Sequence, residues 1–216
     1  MTMPHTSDAL IAELVDGLEP VKPLRFGEGI GLTLAAAGVT AVAVVAAFGL
    51  RAEWLAGHLD PMQLVSTGLF LGLALAASVT VVVMSRPQVG NHHSGWRWAA
   101  AMAGLLPLAG GIVAAVRGSE TLSPEVMRHG AECLVGGTIA SLLVFALLVL
   151  WLRRGAPTSP ERAGLVAGVA AGAFGIFAAS LHCPDNDIVH IGLWHSGAVI
   201  VTALAGRLLV PRLIRW

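Results

Sequence analysis

Six runs of mostly apolar residues dominate the chain, at positions 29–50, 62–84, 98–116, 133–152, 163–182 and 191–210. A helix of about 20 residues, rising about 1.5 Å per residue, crosses a hydrocarbon core about 30 Å thick. In lipid no water is at hand for backbone amides, so such runs form helices rather than loops or open strands. The sequence therefore predicts an all-α fold, an integral membrane bundle of six transmembrane helices over 26–216, preceded by a short segment at 1–25. Composition agrees: 12% of the 216 residues are charged and 56% are hydrophobic, about half the charge of an ordinary soluble domain. Pro107 falls inside the third run and is expected to kink that helix without ending it. The first run follows an acidic stretch and does not read as a secretory signal.

Orientation follows from the basic residues at the ends of the runs. One side carries ten (Lys22, Arg25, Arg86, Arg97, Arg153, Arg154, Arg162, Arg207, Arg212 and Arg215), the other only Arg51, Arg117 and Arg128. Both termini are thus expected in the cytoplasm. Tryptophans 54, 96, 98, 151, 194 and 216 all fall near expected interfaces, as an aromatic belt requires. Charge is balanced at thirteen basic and thirteen acidic residues, and no direct nucleic acid binding is expected. Gly164, Gly168 and Gly172 stand four apart on the fifth run and predict a small-residue ridge for close helix packing.

Two stretches are not generic. The first is SDALIAELVDGLEP, with Thr6 or Ser7 as the expected N-cap and Pro20 as the stop. Leu10, Ile11, Leu14, Val15 and Leu18 recur at helical spacing and make one apolar stripe, while Asp8, Glu13, Asp16 and Glu19 make the rest acidic. A lipid-surface helix is normally basic, so an acidic one suits a protein groove. The expected partner-binding residues are Leu10, Ile11, Leu14, Val15 and Leu18, with Glu13 and Asp16 beside them.

The second stretch surrounds the only two cysteines. Cys133 opens the fourth run and Cys183 closes the fifth, so an antiparallel helix pair brings both to one membrane face. His129, Glu132, His182, Asp185, Asp187, His190 and His195 lie close by in sequence. Thiolate, imidazole and carboxylate form a donor set suited to zinc or cadmium. Candidate ligands are Cys133, Cys183, His129, His182, Asp185, His190 and His195, holding a metal as a bound signal and not as a constitutive cofactor. The same cysteines, if their sulfurs approach, could instead form a disulfide in an oxidising compartment. His92 and His93 read as a solvated loop feature.

An acidic N-terminal helix followed by P-V-K-P-L-R, then six spans with a cysteine at each of these places, resembles the negative regulator of sigma F (NrsF) family. The residues that carry the resemblance are Asp8-Ala9-Leu10-Ile11 through Pro20-Val21, Cys133, and Leu181-His182-Cys183-Pro184 followed by Asp185 and Trp194. The family comprises bacterial inner-membrane anti-sigma factors that control extracytoplasmic-function sigma factors. The resemblance implies that the N-terminal segment holds such a sigma factor at the membrane, with lipid as the other partner. It also implies that Cys133 and Cys183 take part in the response to heavy metals or oxidants. Where the family pattern often has an aromatic after the tryptophan, this chain has His195.

Two other function classes compete. A zinc-dependent intramembrane hydrolase, ceramidase-like, would use Ser180, His182, Asp187, His190 and His195 around an activated water; no HExxH or GxSxG supports it, and no enzyme is expected. A small transporter would show paired broken helices and midplane charges, which the six runs do not offer.

Overall fold

The computed structural model describes residues 7–18, 23–58, 60–87, 95–118 and 123–214. Along them run α1 (Ser7–Asp16), α2 (Phe26–Phe48), α3 (Ala52–Leu55), α4 (Pro61–Met84), α5 (Gly95–Arg117), α6 (Pro124–Arg154) and α7 (Pro160–Ser180). The last span is composite: α8 (Ile188–His190), a π-helical turn (Ile191–His195) and α9 (Ser196–Leu213). Six of these helices, the composite one included, are long and apolar enough to cross a membrane. Lys22, Pro20, Glu19, Thr6, His92, His93, Arg215 and Trp216 lie outside the described residues.

Helix starts follow local chemistry. Asp60 accepts from the Met62 and Gln63 amides at the head of α4, with Pro61 in the first turn, so orphan amides are satisfied by a side chain and by a residue lacking one. Ser123 and Pro124 repeat the device at α6. That cap places the start of α6 nine residues before the expected start of the fourth span at Cys133. A count of apolar residues misses the extension because Glu125, Arg128, His129 and Glu132 are polar. At 31 residues, α6 is about 46 Å long, some 16 Å more than the hydrocarbon core, so its first turns stand clear of it. Cys133 consequently sits inside a helix and not at its first residue. The fifth span shifts back by two or three residues, running Pro160–Ser180, and the sixth begins earlier, at Ile188. At the N-terminus, Ser7 is the first helical residue of α1, and the helix ends at Asp16 before a turn at Gly17, so Leu18 lies beyond it. Pro107 stays within an unbroken α5.

The core is built around α7, which is buried along nearly its whole length, whereas α5 at the periphery is mostly exposed. The glycine ridge is the reason. A β-carbon on Gly168 would fall 2.6 Å from the Ala203 Cα, and one on Gly164 would fall 2.8 Å from the Val210 Cβ, so α7 and α9 touch backbone to backbone. Gly175, farther along α7, meets Ser141 of α6 in the same way. Without a hydrophobic drive between helices in lipid, close approach of this kind supplies the packing energy. Several buried hydroxyls on the spans bond back into their own helices, as Thr33 to the Gly29 carbonyl (2.8 Å) and Ser78 to the Ala74 carbonyl (2.7 Å), while Thr67 of α4 reaches across to Ser180.

Candidate metal centre

Close packing fixes the place where α6 meets the last span. Gly130 of α6 lies under the indole of Trp194, and Gly110 of α5 meets Gly192, where a β-carbon would fall 2.7 Å from the opposing Cα. Both tryptophan and glycine belong to the π turn. Such turns insert one residue into a helix and re-aim the side chains around it. Here His190 and His195, five apart, end with ring centroids 5.0 Å from each other. The His129 ring lies tilted against His190, with centroids 5.2 Å apart.

Cys133 and Cys183 converge on this point, their sulfurs 3.5 Å apart. His190 Nε2 lies 3.6 Å from the Cys183 sulfur. Together His129, Cys133, Cys183 and His190 offer four ligand atoms all within 4.8 Å of one another. Bond lengths of about 2.3 Å to sulfur and about 2.0 Å to nitrogen place ligands on a zinc tetrahedron about 3.8 Å apart for two sulfurs and about 3.6 Å for sulfur and nitrogen. The Cys133–Cys183 and Cys183–His190 separations match those edges to a few tenths of an ångström. Cys183 and His190 are buried, and Cys133 and His129 are half-buried. A cavity of about 240 Å³ opens onto Cys133 and Cys183 between Val44 and Phe48 of α2 and Ala179 of α7.

The remaining polar groups sort around this set. Asp185 Oδ2 stands 3.2 Å from His190 Nδ1, off the line a hydrogen bond would take, so Nδ1 is unsatisfied. A short rotation would make it the carboxylate–histidine pair that typically orients a metal-binding imidazole. His195 is buried, with its Nε2 unpartnered, and packs edge-on to Phe70. The Cys133 thiol, by hydrogen bonding, holds the Cys183 thiol well below the usual thiol range; burial opposes this, and His190 and His195 reinforce it. A thiolate is the form that binds soft metals.

Two expected participants lie apart. His182 is exposed, turned toward the Gly49 carbonyl (3.3 Å) and the Phe48 ring. Asp187 caps the Val189 amide and pairs with Arg117; burial would raise its carboxyl, but Arg117 and the Val189 and His190 amides together hold it below the usual range. Ser180 is engaged by Thr67 and Gln63 of α4, so the serine, histidine and aspartate set of a hydrolase does not converge. On α1 and just beyond it, Leu10, Ile11, Leu14, Val15 and Leu18 are between 50% and 72% exposed, with Glu13 and Asp16 exposed beside them. The most consequential residue that the sequence reading passed over is Arg51, counted there only as a topological charge. Its side chain is 3% exposed, unusual for an arginine.

Comparison with known proteins decides the family. A family profile described as "Negative regulator of sigma F" matches residues 14–216. The chain belongs to the NrsF family. It is 30% identical to the anti-sigma-F factor NrsF of Caulobacter vibrioides, over 97% of both chains. It is 28% identical to a probable anti-sigma-F factor NrsF of Azospira oryzae, over 97% of this chain and 99% of that one. No solved structure matches with significance. NrsF proteins are named as regulators and not as enzymes.

Proposed function

We propose that this NrsF-family chain is an inner-membrane anti-sigma factor, with both termini cytoplasmic, that holds an extracytoplasmic-function sigma factor. In this reading a heavy metal bound at Cys133, Cys183, His129 and His190 triggers release. One observation carries the metal reading: four soft or borderline donors from α6, the 181–187 loop and α8 gather within 4.8 Å of one another, with the two sulfurs 3.5 Å apart and His190 3.6 Å from Cys183. Zinc and cadmium suit that donor set. The sigma factor is the partner named for the relatives, and the exposed stripe of α1 supplies an apolar face for it. A helix laid into a groove reads such a stripe through residues three and four apart.

Metal binding draws four ligands to one centre and so favours one arrangement of α6 against the last span. A ligand shifts a conformational equilibrium only by its differential affinity for the two states, and a bundle packed backbone to backbone moves as rigid helices. The second reading is a disulfide between the same cysteines, favoured by the 3.5 Å sulfur separation.

The test is to purify the tagged full-length chain from its native membrane and identify what accompanies it, then add cadmium. A co-purifying sigma factor that cadmium elutes is the expected result; recovery of no sigma factor contradicts the reading. His190→Gln separates the two chemistries. Under the metal reading it weakens cadmium-driven release, and under the disulfide reading it leaves oxidant-driven release intact.

A further inference from the structure

Arg51 lies three residues past the end of α2 and is buried against the loop that carries Cys183. Its NH1 donates to the Cys183 carbonyl (2.7 Å) and to Asn186 Oδ1 (2.9 Å), and its NH2 donates to the Pro184 carbonyl (3.1 Å). Its Nε donates to Glu53 Oε2 (3.0 Å), and its backbone amide donates to the Leu181 carbonyl (3.2 Å). His182 adds a contact in the reverse direction, to the Gly49 carbonyl (3.3 Å). A guanidinium has five donors in a rigid plane, and this one spends them on a single loop and a single carboxylate. The backbone of Cys183 cannot shift without moving Arg51 or stripping its hydrogen bonds, and a stripped buried charge is costly.

Elsewhere α2 packs on the bundle through small residues, with Gly29 close against Trp151 and Val82. Its buried face is Gly29, Thr33, Ala36, Ala37 and Thr40, a low-relief stripe. The two hydroxyls on it bond back to Gly29 and Ala36 of the same helix, not to a neighbour. Among the described residues, the hydrogen bonds that tie α2 and its flanks to the bundle lie at its ends: the buried Arg51 set at one, and an exposed contact from Arg86 to the Leu24 carbonyl (3.4 Å) at the other. From that second end the chain leads back to α1 and its apolar stripe. The cavity beside Cys133 and Cys183 is walled on one side by Val44 and Phe48, the last turns of α2.

We propose that Arg51 is the positioning residue that couples the cysteine centre to α2, so that a metal bound at Cys183 displaces α2 along its smooth face and carries the N-terminal segment with it. This rests on the metal-responsive reading of the centre.

The experiment is hydrogen exchange followed by mass spectrometry on the full-length protein in lipid, with and without cadmium chloride as the probe. In the wild type, cadmium protects the peptides covering 126–136 and 181–191 and also changes exchange at 23–31, about 30 Å away at the far end of α2. In Arg51→Gln the protection at the centre persists while the change at 23–31 is lost. Arg51→Lys, which keeps the charge without the planar fork, and Asn186→Ala, which removes one acceptor, each reduce the remote change partway. The proposal is overturned by a remote change of wild-type size in Arg51→Gln and Asn186→Ala, or by a wild type whose centre is protected with no change at 23–31. A wild type with no protection at the centre removes the metal reading itself, and the coupling with it.

Discussion

Trp194 lies across Gly130 so closely that a β-carbon on Gly130 would overlap the indole. The contact sits between His129 and Cys133 on α6 and between His190 and His195 on the last span. It is therefore the gauge that sets how far apart the two halves of the candidate metal centre stand. Gly130→Val forces the indole out and parts the two halves, at about 1–3 kcal/mol of overpacking. Cadmium affinity of the purified protein, measured by titration, is expected to fall about tenfold or more, as for loss of other groups that orient metal ligands. Unchanged affinity would show that the centre does not depend on this contact.

The stripe on α1 is expected to carry the partner. Leu14→Asp or Leu10→Asp places a charge on a face that would be buried in the complex, which is costly without a mate. Retention of the sigma factor by the membrane-inserted variant should drop at least several-fold. Both residues lie outside every span, so insertion, checked by membrane fractionation, is unaffected.

Packing of α7 on α9 separates helix propensity from close approach. Glycine costs about 0.5–1 kcal/mol relative to alanine within a helix. Gly104→Ala, with nothing within 4 Å of the added carbon, should thus hold or raise thermal stability in detergent. Gly168→Ala, whose added carbon would fall 2.6 Å from Ala203 Cα, should lower it. Equal midpoints would remove the ridge as a packing device.

Much of this architecture is legible in the sequence, and the physical reason differs by element. Apolar run length marks the six spans because lipid leaves little alternative to a helix. The Gly164, Gly168 and Gly172 spacing marks the ridge because four residues return to nearly the same helix face. Two features escape. The extension of α6 back to Pro124 is polar and leaves the hydrocarbon, so hydropathy stops at Cys133; the Ser123-Pro124 pair is the signal that could have found it. Arg51 looks like any flanking charge, since two of its partners are main-chain carbonyls that leave no mark in a sequence and Asn186 lies 135 residues away. The histidines separate for a similar reason: His129 shares a helix face with Cys133 at four residues, and His190 reaches the centre through a short turn capped by Asp187. His182, adjacent to Cys183, is carried the other way by the end of α7.

Orientation follows the ten-to-three division of basic residues. Reporter fusions after Arg25, Pro157 and Trp216 should read cytoplasmic, and fusions after Gly57, Gly118 and Asp187 external. A cytoplasmic signal after Asp187 would put Cys183 in a reducing compartment and remove the disulfide reading outright.

The central claim is that Cys133 and Cys183 act as one switch for partner release. Serine keeps the size of cysteine but is a far poorer ligand for a soft metal. The direct measurement is sigma-factor retention by membranes bearing the wild type, Cys133→Ser, Cys183→Ser and the double variant, across a cadmium titration. The wild type should release its partner. All three variants should hold it, with the double variant no more defective than either single one, since both sulfurs serve one ion. Cadmium-driven release from the double variant at wild-type concentrations would contradict the account.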